Sequence, residues 1–175
     1  PERGLTGPGE FLPVAEATGQ ISQLGEYLFE RIVDDLRGWE IAGLRLPVAV
    51  NLSIREFADP GLCKRLMARL SAANCSVRQV RLEITEQVFI GDLELARKRL
   101  HCFRESGFCT ALDDFGTGYS SFHYLKRLPV DSLKIDRAFV VDLASQPRSR
   151  AILRAIAGVC RELDLDAVVE GVETD

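Results

Sequence analysis

The sequence has little of what marks a membrane protein or a nucleic-acid-binding protein. Its 175 residues contain no apolar run near the ~20 residues that a transmembrane helix needs, and no signal peptide opens them. Positive charge is not in excess, because the net charge is −4 and the pI about 5.3. We therefore expect no basic surface for an anionic membrane and no direct binding to a nucleic-acid polymer.

Histidine is scarce, and the cysteines form no metal-binding pattern. The five cysteines are odd in number and widely spaced, without a Cys-x-x-Cys pair, so neither a disulfide framework nor a zinc site is favoured. We expect reduced, mostly buried thiols, as is usual in a cytoplasmic protein. The two histidines, His101 and His123, lie apart from the candidate ligands described below.

Helical and strand-like segments alternate along most of the chain. After a loop over 1–9, apolar periodicity predicts helices over 11–19, 21–39, 60–70, 93–106 and 148–163. Short apolar strands are predicted over 46–50, 80–82, 108–112, 132–133 and 167–169. This alternation indicates parallel strands joined by helical crossovers, and no linker divides the chain, so the pattern predicts one α/β domain.

Each predicted strand leads into a polar residue: Asn51, Glu83, Asp113, Lys134 and Glu170. In a (β/α)8 barrel the carboxyl ends of the strands meet at one rim, where active sites lie. A doubly wound sheet would carry a Gly-rich phosphate loop after its first strand, and none is present. The sequence thus predicts a TIM-type barrel. Because a whole barrel takes about 250 residues, we expect this chain to supply about five strands, with others before Pro1 and after Asp175.

Two adjacent carboxylates, Asp113 and Asp114, precede a loop with glycines at 116 and 118. Neighbouring residues of a strand point to opposite faces, so these two converge only where the strand ends. Carboxylates this close repel unless a proton or a cation lies between them. Gly116 and Gly118 allow the loop to fold tightly beside a ligand. The pair therefore indicates a divalent cation.

Together the strand-end residues form an oxygen-rich set that suits Mg²⁺, Mn²⁺ or Ca²⁺ better than zinc or copper. Several carboxylates around one or two such ions are typical of phosphoester hydrolysis. In that chemistry Lys134 would orient the attacking water or a phosphoryl oxygen, and Glu170 is a candidate general base. Purely structural interpretations stay open, with Glu83 or Asn51 as a helix cap and Lys134 as a surface lysine.

Three more acidic residues follow the strand ends: Glu86, Asp136 and Glu173. Glu86 is placed to accept backbone N–H groups of the glycine loop. Alternatively, it is a carboxylate in the first turn of a helix, where it interacts favourably with the helix dipole. Asp136 and Glu173 lie just beyond the predicted rim and are candidates to support the ligands.

The order of these motifs resembles the EAL domain, the bacterial cyclic di-GMP phosphodiesterase domain. The matching segments are 11–13, 15–16, 50–53, 82–86, 113–121, 128–131, 133–137 and 170–174. The resemblance implies a modified (β/α)8 barrel that hydrolyses cyclic di-GMP to linear pGpG with two Mg²⁺ or Mn²⁺ ions. It implies metal binding by Asn51, Glu83, Asp113, Asp114 and Glu170.

The same resemblance implies further roles and partners. Lys134 falls on the lysine near the catalytic water, Glu170 on a glutamate that serves as ligand or base, and Glu86 on the glutamate that supports the loop. Glu173 matches the last acid of that group. The implied partners are cyclic di-GMP, fused sensory or GGDEF-type domains, and a second copy in a homodimer. The implied location is the cytoplasm, including the cytoplasmic part of a membrane-anchored signalling protein.

Parts of the family pattern are absent from the chain. The Glu-Ala-Leu motif, with its first metal ligand, is expected before Pro1, and a late glutamine and the last strand after Asp175. We therefore interpret residues 1–175 as a partial EAL domain that is inactive by itself. The alternatives are a catalytically inactive EAL-type domain that serves as a cyclic di-GMP receptor or regulatory module and, more remotely, an unrelated metal-dependent barrel lyase.

Overall fold

The computed structural model describes residues 4–116, 122–141, 143 and 145–172. Its five strands form one parallel sheet in chain order: β1 Val48–Asn51, β2 Val80–Thr85, β3 Cys109–Phe115, β4 Ser132–Ile135 and β5 Asp166–Val169. Each strand is added on the same side of the one before it, so the order never reverses as it does in a doubly wound sheet. This is the arrangement of a (β/α)8 barrel wall, and the predicted fold class is confirmed.

Helices connect the strands and cover one face of the sheet. They are α1 Pro8–Thr18, α2 Ile21–Ile41, α3 Ile54–Ala58, α4 Leu62–Ala72, α5 Val88–Gly91, α6 Leu93–Glu105, α7 Phe122–Leu125 and α8 Pro147–Glu162, with 3-10 turns at Val77–Gln79 and Arg137–Phe139. The short helices α3, α5 and α7 were not predicted, because four or five residues are too few to show a helical period. No helix in the described part of the chain is long and apolar enough to cross a membrane.

Several predicted boundaries are wrong by a few residues. Helix α1 starts inside the predicted loop, at Pro8, because proline is well suited to the first turn of a helix. Strand β1 starts only after Pro47, which has no N–H to donate to a ladder. Strands β2 and β3 run on to Thr85 and Phe115, so Glu83 and Asp113 lie within their strands and not beyond them.

The alternation of side chains sorts each strand onto two faces. One face is apolar, and its residues form a single core cluster with helix residues such as Leu70, Leu100 and Phe103; they include Val80, Leu82, Ile84, Leu133 and Ile135. The opposite face carries the polar residues. There the register places Asn51 beside Glu83 and Thr85 beside Asp113. The apolar face of the sheet thus packs under the helices, and the polar residues lie on the inner face of the barrel wall.

The segment before β4 is tied to the start of β3. The Asp131 carboxylate accepts hydrogen bonds from the backbone N–H of Thr110 at 2.7 Å and from its hydroxyl at 3.1 Å. A carboxylate that accepts a buried backbone N–H fixes the position of that segment. The motif over 128–131 therefore has a structural role, which is to set where β4 enters the sheet and hence where Lys134 lies.

Candidate metal centre

Lys134 lies at the centre of the acidic residues. Its Nζ atom is 2.7 Å from Oε2 of Glu83, 2.9 Å from Oδ1 of Asp113 and 2.8 Å from Oε1 of Glu170. Its side chain is only 15% exposed. The interpretations of Lys134 as a surface lysine and of Glu83 as a helix cap are therefore wrong, since both side chains belong to one largely buried ion cluster.

The cluster keeps Lys134 charged. Burial by itself would lower the pKa of the ammonium group, but hydrogen bonds to three carboxylates outweigh it and raise the pKa above its ordinary value. The positive charge in turn attracts the carboxylates of Glu83, Asp113 and Glu170 to one place. One lysine thus offsets part of the repulsion among three carboxylates that come from different strands.

A β-bulge brings Asp114 to the same place as Asp113. The register between β3 and β4 shifts between Leu112 and Phe115, and Asp114 has a φ of +54°. This left-handed conformation is uncommon for residues other than glycine, although aspartate adopts it more readily than most. The backbone N–H of Asp114 also bonds to the Asp113 carboxylate at 2.9 Å. The two carboxylates thus converge through a bulge inside β3, and not at a strand end as predicted.

Asp113, Asp114 and Glu170 have the donor chemistry of a hard-cation site. Each offers a carboxylate oxygen, and these oxygens all lie within 4.8 Å of one another. Partial burial raises the pKa of the Asp114 carboxyl above its ordinary value, and nearby negative charges act in the same direction: Asp113, Asp136 and Glu170. A divalent cation would relieve this repulsion, so the residues present fit Mg²⁺ or Mn²⁺.

Three further predicted site residues are described by the structure: Glu86, Asp136 and Asn51. Glu86 accepts a hydrogen bond from the backbone N–H of Gly116 at 3.3 Å. Asp136 caps the 3-10 turn by accepting the N–H of Ala138 at 2.8 Å. Asn51 is exposed and is paired in register with Glu83. Glu173 and loop residues 117–121 lie outside the described residues.

A groove of about 1520 Å³ lies beside the centre, a volume above the roughly 300–1,000 Å³ that is typical of small-molecule sites. Its polar wall comes from the rim and includes Asn51, Glu86 and Asp114, whereas α1 and α2 supply apolar residues such as Leu12 and Leu24. The N-terminal cap of α3 near this groove is Ser53, which forms a capping box with Glu56. Asn51 is thus not the cap of that helix, and its side-chain amide does not serve as a helix cap at the rim of the sheet.

Sequence reasoning missed one part of the site, the 3-10 turn at Arg137–Phe139, which contacts Gly116 and Gly171. Gly116 lies two residues after Asp114 and Gly171 directly follows Glu170, and their φ values are +100° and +73°. Glycine after a strand-end acid is the available sequence signal, but it does not reveal which segment packs against it.

The chain matches the family model for the EAL domain over residues 1–175. It belongs to the EAL domain family. It is 40% identical over 174 residues to the cyclic di-GMP phosphodiesterase PdeR of Escherichia coli, covering 99% of this chain and 26% of PdeR. It is 39% identical over 175 residues to the cyclic di-GMP phosphodiesterase NbdA of Pseudomonas aeruginosa, covering 99% of this chain and 22% of NbdA. The chain thus spans about a quarter of these relatives' length.

Solved structures agree with the fold. The structure of PaMucR phosphodiesterase in complex with cyclic di-GMP superposes with a TM-score of 0.92 at 41% identity, covering all of this chain and 71% of that one. The FimX EAL domain of Pseudomonas aeruginosa, bound to cyclic di-GMP, superposes with a TM-score of 0.88 at 26% identity, covering 99% and 69%. The resemblance found in the motifs is therefore confirmed over the whole chain.

Proposed function

We propose that the protein carrying this EAL domain hydrolyses cyclic di-GMP to linear pGpG with Mg²⁺ or Mn²⁺. The observation that carries the proposal is the convergence of Asp113, Asp114 and Glu170 within 4.8 Å beside Lys134. Such a donor set suits a phosphodiester substrate, because bound cations bring the positive charge that the acidic chain lacks. The names of PdeR, NbdA and PaMucR support the choice of cyclic di-GMP.

Five residues would hold the two ions: Asn51, Glu83, Asp113, Asp114 and Glu170. When bound, the ions supply positive charge to the phosphodiester and lower the pKa of a water molecule. Glu86 would hold the backbone at Gly116 so that Asp114 keeps its orientation, and Asp136 would hold the turn that follows Lys134. Glu173 is proposed to support the same group.

Lys134 and Glu170 would act on the attacking water. In the hydrolysis, the water oxygen forms a bond to phosphorus and loses a proton, while the bond from phosphorus to the ribose O3′ breaks and O3′ leaves as an alkoxide that takes up a proton from solvent to become the 3′-hydroxyl of pGpG. Glu170 is the candidate base for that proton, since its side chain is 35% exposed while one oxygen is already held by Lys134. Lys134 would orient the water and stabilise negative charge that develops on a phosphoryl oxygen.

The parent protein is proposed to contain further domains. MucR of Pseudomonas aeruginosa, a relative at 41% identity, is a bifunctional diguanylate cyclase/cyclic di-GMP phosphodiesterase, of which this chain covers 26%. By analogy we propose fused GGDEF-type or sensory domains that regulate the hydrolytic site, and a homodimer as the functional form.

The test is nucleotide analysis of the protein that carries this domain. Cyclic di-GMP is incubated with Mg²⁺, with Mn²⁺ or with EDTA, and the products are separated by chromatography. We expect metal-dependent formation of pGpG, at least a hundredfold loss in Glu170→Gln, and no change in Lys126→Gln, whose side chain is exposed. Tight binding of cyclic di-GMP without hydrolysis would instead support the receptor function, and neither binding nor hydrolysis would refute both.

A further inference from the structure

The 3-10 turn at Arg137–Phe139 lies directly after the strand that carries Lys134. Asp136 caps the turn, since its carboxylate accepts a hydrogen bond from the backbone N–H of Ala138 at 2.8 Å. Phe139 is half-buried and packs against the main core cluster, whereas Val141, two residues on, is 71% exposed. The turn is therefore anchored both to the core and to the end of β4.

Phe139 packs against the backbone of Gly116. A Cβ atom built on Gly116 would lie 2.2 Å from Cε2 of the Phe139 ring, so the ring occupies the space that any other residue would fill. From another direction, Glu86 accepts the N–H of Gly116 at 3.3 Å. Gly116 is thus held by an aromatic ring and a carboxylate, two residues after Asp114.

Arg137 packs against Gly171 in the same way. A Cβ atom on Gly171 would lie 2.6 Å from Cβ of Arg137, and the φ of +73° at Gly171 turns the chain directly after Glu170. The two ends of one three-residue turn therefore contact the two glycines that follow the acidic segments.

We propose that Phe139 and Arg137 are positioning residues, which set the separation between Asp113–Asp114 and Glu170 and thereby the affinity of the shared metal site. A rigid turn of three residues keeps the two backbone corners at one distance, and metal ligands held by such a support bind more tightly than ligands that must be ordered by the ion. The inference rests on the metal site of the proposed function but not on hydrolysis.

The first test is Mn²⁺ binding to the protein that carries this domain, measured without nucleotide by the electron paramagnetic resonance of free Mn²⁺. We expect Phe139→Ala to raise the dissociation constant about tenfold, the lower part of the range seen when groups that support metal ligands are removed. Phe139→Leu should recover most of the affinity, because it restores packing on Gly116. Val141→Ala is the matched control on the same segment and should bind as the wild type does.

A double-mutant cycle tests the contact itself. Gly116→Ala should lower the urea midpoint of the wild type, since the added Cβ meets the Phe139 ring and the backbone has a φ of +100°. In the Phe139→Ala background the same substitution should lower the midpoint less, because the steric contact with the ring is removed while the backbone strain is common to both backgrounds. Equal effects in the two backgrounds would show that the contact carries no coupling and would overturn the proposal.

The outcomes separate this inference from the proposed function. A loss of stability in Phe139→Ala with an unchanged Mn²⁺ dissociation constant assigns the residue to folding alone and overturns the positioning role. If the wild-type protein binds Mn²⁺ but leaves cyclic di-GMP intact, the hydrolytic function is refuted. The ratio of the Mn²⁺ dissociation constants of Phe139→Ala and wild type then still decides whether Phe139 is a positioning residue. Wild-type protein that binds no Mn²⁺ overturns both.

Discussion

The ammonium group of Lys134 lies 2.7 Å from the carboxylate of Glu83, although β3 separates the two strands that carry them. Ala111 of β3 pairs with Glu83 on one side and with Ser132, two residues before Lys134, on the other, and it is fully buried. A methyl side chain at this position leaves room for the two longer side chains to meet above it. We therefore expect the ion cluster to need a small residue at this position of the middle strand.

Replacing Lys134 by methionine is expected to destabilise the metal-free protein by about 3 kcal/mol, because removal of one partner leaves buried charges uncompensated. Divalent cations should recover more stability in the variant than in the wild type, since the carboxylates then lack their fixed counter-charge. The measurement is urea unfolding in EDTA and in Mn²⁺. Lys126→Met is the exposed control, and equal destabilisation in both variants would contradict the cluster.

Enlarging Ala111 should separate Lys134 from Glu83. Ala111→Leu is expected to lower the unfolding free energy by about 1–3 kcal/mol, the usual range for overpacking a filled site, and to weaken Mn²⁺ binding. The same substitution at the exposed helix position Ala151 is the matched control and should leave both quantities nearly unchanged. Unaltered Mn²⁺ affinity in Ala111→Leu would mean that the space above Ala111 is not what lets the cluster form.

The conformation of Asp114 separates two roles of its side chain. Its φ of +54° disfavours residues with a Cβ by about 1–2 kcal/mol, but Asn tolerates this region as Asp does. Asp114→Asn should therefore keep the stability of the wild type, whereas Asp114→Ala should lose about 1 kcal/mol in thermal or urea unfolding. Both should lose Mn²⁺ affinity. If Asn and Ala were equally destabilising, the bulge would not depend on the conformational tolerance of this residue.

Cys63 makes alkaline stability depend on a buried thiol. Burial raises the pKa of Cys63 from 9.0 to about 11, and the nearby Cys102 acts in the same direction, although a hydrogen bond to Ser106 opposes it. Because the unfolded thiol ionises first, the stabilising contribution is complete below pH 9 and is lost as the pH rises to about 11. Urea unfolding from pH 8 to 11 should show a shallower loss of stability in Cys63→Ala than in the wild type.

The rate of alkylation is an independent measure of the burial and ionisation of the Cys63 thiol. Iodoacetamide reacts with the thiolate, so at pH 8 exposed Cys102 should be labelled well before buried Cys63 in the folded protein. Mass spectrometry of tryptic peptides measures the two rates. Equal rates in the folded protein would contradict both the burial and the raised pKa of Cys63.

The amino-acid sequence by itself determined the parallel α/β architecture and most of the rim. Apolar strands separated by helical periods specify crossovers, and the alternation of side chains along each strand places residues such as Glu83, Asp113 and Lys134 on one face without knowledge of any contact. The motifs over 113–121 and 133–137 determined the family. These signals are local, because each depends only on residues close together in the chain.

Only the tertiary structure decided how the rim residues meet. The bulge that turns Asp114 beside Asp113 arises from the register between β3 and β4, and the position of Lys134 depends on contacts with strands that lie far away in the chain. The packing of Phe139 on Gly116 likewise joins segments that share no local pattern. Such geometry is set by how separate elements pack together, and periodicity within one element carries no information about it.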